Sequence, residues 1–216
     1  MSTATTHAEE VHTHAHDHDH EHEHHELNFW TKYIFSTDHK TIAKQYLISG
    51  ILWAFIGGSL SIIFRLQLGF PEMQLDWLRP ILGEWIDEGG KLDKEFYLAL
   101  VTMHGTIMVF FVLTAGLSGT FSNFLIPLQI GARDMASGFI NMLSYWFFFL
   151  SSAIMFSSLF IETGPASGGW VIYPPLSALP QAMPGSGLGM TLWLTAMTFF
   201  IVSSLMGGIN YICTVI

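Results

Sequence analysis

Residues 96–121 read FYLALVTMHGTIMVFFVLTAGLSGTF, a run without Asp, Glu, Lys or Arg and with a single histidine, His104. About 20 mostly apolar residues suffice to cross ~30 Å of hydrocarbon as a helix. The run lacks the period-two alternation of a barrel strand, and an unpaired backbone group is costly in lipid, so a transmembrane α-helix is predicted. Working outward, three more stretches satisfy the same rule, so the spans are expected at about 46–68, 96–121, 139–161 and 189–216. The fold class expected is an all-α polytopic membrane protein.

Composition agrees with this reading. The chain has 216 residues, 50% hydrophobic and only 12% charged, about half the charged fraction of a soluble domain. Its net charge of −9 is nevertheless large for so few charges. Residues 1–28 hold seven of the seventeen acidic residues and none of the eight basic ones, so they supply −7 and residues 29–216 about −2. The expected organisation is a tail, 1–28, and a membrane domain, 29–216. The tail contains HAEEVHTHAHDHDHEHEHH and nine of the eleven histidines. Such a segment is too polar to fold, so disorder is expected. A solvated tail with weak affinity for Cu²⁺, Ni²⁺ or Zn²⁺ is favoured over a dedicated metal-delivery arm. No basic segment leads into an early apolar one, so no cleavable signal peptide is expected. The lone Cys213 lies in an apolar run and is read as a packing residue, without a disulfide or thiolate metal site.

Among the connections, Gly69–Glu95 carries Leu75, Leu78, Leu82, Trp85 and Ile86 at the spacing of one helical face. It reads equally as a helix on the membrane surface or as an irregular loop. Lys32, Lys40, Lys44 and Arg133 fall on one side of the membrane and Arg65, Arg79, Lys91 and Lys94 on the other, so the positive-inside rule is tied. A long acidic tail is awkward to export without a signal, which places the N-terminus in the cytoplasm.

Ionisable residues inside spans are functional candidates because each is costly unless paired or used. His104 lies nine residues into the second span, roughly 13 Å deep at ~1.5 Å per residue. It suits a metal or haem ligand, a proton carrier or an interhelical hydrogen bond. Met108, Phe111 and Ala115 share its helical face and suit either a flat macrocycle or ordinary packing. His39 precedes the first span on the other side of the membrane, so it cannot share an iron with His104. Arg65, near the outer end of the first span, either snorkels to the interface or presents its donor fork to a cofactor. Asp134 follows Pro127 and Arg133 in the inner connection, between Asn123 and Asn141, and Ser203, Ser204 and Asn210 recur in the fourth span. Residues of this kind feed protons through water or simply join helices, and composition alone favours joining.

Six motifs are more specific together: STDHKTI at 36–42, IIFRLQLG at 62–69, TMHGTIMVFF at 102–111, NFLIPLQIGARDMA at 123–136, GGWVIYPPL at 168–176 and SSLMGGINY at 203–211. Their order resembles subunit I of cytochrome c oxidase, in the haem–copper oxidase superfamily, over about residues 30–216. The resemblance is to the first four of that subunit's twelve helices. It implies the N-terminal part of the catalytic subunit of a proton-pumping terminal oxidase, which passes electrons from cytochrome c to O₂ and reduces it to water.

Residue by residue, His104 resembles an axial ligand of the low-spin haem A, whose opposing histidine belongs to a later helix. Arg65 resembles the arginine that contacts a haem A substituent, and Trp170 and Tyr173 resemble residues beside the haem propionates. Asp134 resembles the aspartate at the mouth of the D proton pathway, with Asn123 and Asn141 near the mouth and Ser203, Ser204 and Asn210 further along. This shifts the reading of that series from helix joining to proton uptake. Gln67 stands where many members have a glutamate for a structural cation, so that site is not assigned. Arg133 replaces a common proline, and Ser137, Gly138, Phe139 and Met142 alter the stretch around the asparagines. The Gly69–Glu95 connection is longer than usual.

The high-spin haem and copper are implied for the complete subunit, but their ligands belong to later helices. No catalytic residue is therefore expected in this stretch, nor oxidase activity from it alone. The chain ends within its fourth span, as expected of a piece of a longer subunit. Implied partners are the rest of subunit I, oxidase subunits II and III, cytochrome c or another respiratory donor, a respiratory supercomplex and membrane lipid, with no nucleic acid. The implied location is the bacterial cytoplasmic membrane. A quinol oxidase of the same superfamily is one alternative. A metal transporter with a histidine-rich sensor is the other, but it would need several intramembrane Asp or His ligands where the spans offer His104 alone.

Overall fold

The computed structural model describes residues 28–161, 163–183 and 187–216. The histidine-rich run of the tail, and with it the expectations of disorder and metal affinity, lies outside the described residues. Four helices are long and apolar enough to cross a membrane: α1, His39–Gly69; α2, Lys94–Ile130; α3, Gly138–Ser158; and α4, Leu188–Val215. The described residues form no strand, only an isolated bridge between Ile86 and Leu92.

Capping side chains set where the helices begin. Asp38 accepts the Thr41 N–H at 2.9 Å, which starts α1 at His39, before the expected Tyr46. Asp93 accepts the N–H groups of Glu95 and Phe96 at 2.8 and 3.2 Å, and Ser137 accepts that of Ile140 at 3.3 Å. Helix α2 runs past the expected Phe121 and stops at Gly131, whose φ of 72° is the left-handed conformation that ends many helices.

Small residues bring α1 and α2 together. A Cβ added to Gly50 would sit 2.8 Å from Gly116 Cα, and one added to Gly57 would sit 2.9 Å from Ile107 Cγ2. Along this contact Ile107–Ser118 is wound as a π-helix, a form that often marks functional positions. Helices α3 and α4 are joined by Ser151 Oγ donating to the Ala196 carbonyl at 2.6 Å and Ser203 Oγ donating to the Ser144 carbonyl at 2.7 Å. The main core is aromatic, with Trp53, Phe111, Phe148 and Phe200 buried among the four helices.

A second core closes the end of the bundle away from residue 28. The Gly69–Glu95 connection is neither one surface helix nor an irregular loop. It is a succession of short helical turns, Asp76–Leu78, Arg79–Leu82 and Gly83–Trp85. Gly83, at φ 58°, breaks the regular face. Leu75, Leu78 and Ile86 are buried against Phe64, Phe96 and Leu100, and Trp85 stacks on Phe96 with ring centroids 4.5 Å apart. Gln67 fastens this cap by accepting the Leu92 N–H at 3.0 Å. Cys213, expected to pack, is exposed. The buried face of α4 runs through Phe200, Ser203, Gly207 and Asn210, and helical spacing turns Cys213 away from it.

Candidate functional site

The sequence-predicted residues gather at the two ends of the bundle. At the end of the bundle away from residue 28, His104 Nδ1 lies 2.8 Å from the Gly57 carbonyl of α1. A carbonyl only accepts, so Nδ1 carries the proton and the Nε2 lone pair is left for a ligand. This is the usual outer-sphere arrangement of a metal-binding histidine, in which a fixed N–H sets both tautomer and ring orientation. Phe64 meets the ring edge-on at 5.7 Å between centroids.

The segment after α3 folds over this end. Gly169 N–H donates to Thr102 Oγ1 at 2.9 Å, and Trp170 lies against Gly105, with its Cδ1 3.5 Å from where a Cβ would stand. Trp170 is therefore fastened to the turn of α2 that carries His104. Tyr173, three residues on, is exposed. Ile172 between them holds a φ of 54°, a strained conformation for a β-branched residue. Arg65 is exposed, donates Nε–H to Ser61 Oγ at 3.0 Å, and sits 6.0 Å from the Phe64 ring that also touches His104.

Of the two readings of the residues that follow His104, ordinary packing describes Phe111 and Ala115: both are buried, and Phe111 packs on Trp53, Phe148 and Phe200. Met108 lies partly buried against Gly57.

At the end nearer residue 28, Asp134 has a partner that sequence reading missed. Its Oδ1 lies 3.0 Å from His39 Nδ1 and accepts the Met135 N–H at 2.8 Å. His39 is only 3% exposed, while the Asp134 side chain is 44% exposed. Asp38 Oδ1 lies 3.9 Å from the same imidazole nitrogen. Burial pushes the Asp38 carboxyl up, but hydrogen bonds from the Thr41 hydroxyl and N–H, with the His39 charge and the Lys40 N–H, outweigh it and hold its pKa below the ordinary value. The available signal was that both STDHK and GARDMA precede spans on the same side of the membrane.

Inward from this pair stand buried amides with spare hydrogen-bonding capacity. Asn123 donates to the Gly119 carbonyl at 2.7 Å and to the Tyr211 hydroxyl at 3.1 Å, yet its Oδ1 has no protein partner. Neither polar atom of the Asn141 side chain has one, nor does Asn210 Nδ2. Buried polar groups of this kind are ordinarily satisfied by water. Asn210 Oδ1 accepts the Ser137 N–H at 2.9 Å, so Asn210 stands beside the connection that carries Asp134 and not deeper in the bundle with Ser203. Its place late in α4, which descends toward this end, is the reason. Ser203 and Ser204 lie deeper, lining a cavity of about 260 Å³ with Tyr46, Ser118 and Tyr211.

A family model described as "Cytochrome C and Quinol oxidase polypeptide I" matches residues 41–216. The chain belongs to this family. Subunit I of a haem–copper oxidase is also what its relatives are named for. It is 41% identical to the "Alternative cytochrome c oxidase subunit 1" of Bradyrhizobium diazoefficiens, over 89% of this chain and 30% of the relative. It is 35% identical to the cytochrome c oxidase subunit 1 of Synechocystis sp., over 89% of this chain and 31% of the relative. It is likewise 35% identical to the "Heme-copper oxidase subunit I+III" of Aeropyrum pernix, over 85% of this chain and 20% of the relative. The chain therefore spans less than a third of the length of these relatives. Four spanning helices and this membership make it part of a multi-pass membrane protein of the haem–copper oxidase subunit I family, whose cofactors are haem and copper.

Proposed function

We propose that these residues are the N-terminal part of the catalytic subunit of a proton-pumping terminal oxidase, contributing one axial ligand to a low-spin haem A and the mouth of a proton path. The observation that carries the ligand assignment is the hydrogen bond from His104 Nδ1 to the Gly57 carbonyl. It makes Nδ1 the donor nitrogen of the neutral ring, which leaves the Nε2 lone pair for iron. Bound there, the haem supplies one-electron transfer between the donor and the dioxygen-reducing centre.

The chain's own residues do the orienting. Gly57 and Phe64 fix the imidazole from α1, and Trp170 covers the same turn of α2 from the outer segment. Arg65 would offer its remaining guanidinium N–H groups to an acceptor on a bound haem, and Trp170 and Tyr173 would help hold its propionates. On the opposite side, Asp134 takes up protons from the cytoplasm. Asn123, Asn141 and Asn210 near the mouth, then Ser203 and Ser204, hold water by the buried polar groups described above. The family resemblance favours cytochrome c as donor and the bacterial cytoplasmic membrane as location. The spans carry no cluster of intramembrane acids, which disfavours a metal transporter.

The ligand assignment is tested in the full-length, assembled enzyme. His104→Ala should abolish the low-spin haem absorbance and with it electron transfer, while the protein still inserts in the membrane. A wild-type low-spin spectrum in that variant would remove His104 from the role.

A further inference from the structure

We infer that His39 is a positioning residue for Asp134, selecting which carboxylate oxygen takes up the proton. This rests on the reading of Asp134 as a proton-uptake group. The geometry is specific to the pair. Oδ1 receives two donors, His39 Nδ1–H at 3.0 Å and Met135 N–H at 2.8 Å. Oδ2 has no hydrogen bond from a described residue, on a side chain 44% exposed. An oxygen already accepting two hydrogen bonds is the poorer base, so Oδ2 is the one that receives a proton from solvent.

The two groups reach each other only because the chain holds two loops together. Asp38 caps α1 and so fixes the first residue of that helix, His39. Gly138 lets the inner connection approach, since a Cβ there would stand 2.8 Å from the Thr37 carbonyl oxygen. Gln45 pins the preceding segment by donating to the Tyr33 and Ile34 carbonyls at 2.7 and 3.0 Å. The imidazole is buried, and its second nitrogen, Nε2, is also buried without a protein partner. The two ring nitrogens point in widely different directions. With Nδ1 on Asp134, Nε2 is directed away from the carboxylate, so one ring joins the exposed acid to the buried side of the mouth. The charged neighbours are Asp38, 3.9 Å from Nδ1, with Lys40 and Arg133 exposed next to His39 and Asp134 in the chain.

The test compares three substitutions in the full-length enzyme reconstituted in vesicles: Asp134→Asn, His39→Ala and His39→Asn. Proton-uptake rate is followed against pH. A hydrogen bond donated to a carboxylate favours its charged form, so losing the donor in His39→Ala should move the midpoint of the profile up by about one pH unit. His39→Asn keeps an N–H donor near the position of Nδ1 and should restore the wild-type midpoint. A merely structural role would lower the rate without moving the midpoint. Should His39→Ala fail to assemble, His39→Phe fills a similar volume without the donor and must show the same displacement. An unmoved midpoint in both apolar variants, with Asp134→Asn still slow, overturns the role of His39 and leaves Asp134 in place. An Asparagine variant displaced as far as the apolar ones also overturns it. Wild-type uptake in Asp134→Asn would instead overturn the underlying reading of Asp134.

Discussion

Neutral imidazole has one donor and one acceptor nitrogen, and each histidine of the membrane domain commits Nδ1 to an oxygen of another segment. In His104 that oxygen is a backbone carbonyl, which leaves Nε2 free to bind; in His39 it is a carboxylate, which leaves the ring serving the acid. His104 was legible from sequence because a lone histidine inside an apolar span demands an explanation. The pairing of His39 with Asp134 was not, because 95 residues separate them and no periodicity connects two loops. Asp38, beside them, supports both. Asp38→Ala should cost about 1 kcal/mol by loss of the helix cap, whereas Asp38→Asn should keep it near neutral pH. The sign with pH follows from its depressed pKa. Wild-type Asp38 adds stability above the ordinary value of 3.8 and loses it as pH falls through the lower folded value, an increment absent from the asparagine variant. Thermal unfolding of the purified enzyme at neutral and acid pH measures both effects.

At the scale of elements, existence and type followed from length and hydropathy, but faces and ends did not. Periodicity assumes ordinary α-helical winding, and the π-helical stretch Ile107–Ser118 departs from it, so the choice between a cofactor face and core packing for Phe111 and Ala115 was open until their burial was seen. The Gly69–Glu95 cap defeats a simple reading for a similar reason. Its apolar residues keep a helical spacing while short turns and Gly83 break the helix beneath them. The α1–α2 crossing is the strictest element contact, because its neighbours at Gly50 and Gly116 are backbone atoms that cannot rotate aside. A Cβ on Gly116 would stand 2.8 Å from Gly50 Cα. Gly116→Ala should therefore destabilise by about 1–3 kcal/mol, as overpacking does, and lower the yield of assembled enzyme. Gly58→Ala is the control, since a Cβ there meets nothing within 4 Å. Equal yields for the two variants would show that the crossing tolerates separation.

Across the whole molecule, the candidate electron and proton functions sit at opposite ends of α2. His104 and Asn123 are 19 residues apart, at most about 28 Å at the ~1.5 Å rise of an α-helix and less across the π-wound Ile107–Ser118. Family membership was legible because six motifs occur in order, although none alone was decisive. Orientation was not, since the basic residues tie four to four. Four spans put residue 28, the Asp134 connection and the end of α4 on one side, and the segments bearing Arg65 and Trp170 on the other. Proton uptake at Asp134 therefore requires the N-terminal side to face the cytoplasm. A Thr3→Cys variant, read against the same enzyme without the substitution so that thiols elsewhere are subtracted, reports this directly. A membrane-impermeant thiol reagent should label it in inverted vesicles and leave it unlabelled in intact spheroplasts. The reverse pattern would put Asp134 on the outer face, where it could not draw protons from the cytoplasm, while leaving the His104 ligand assignment untouched.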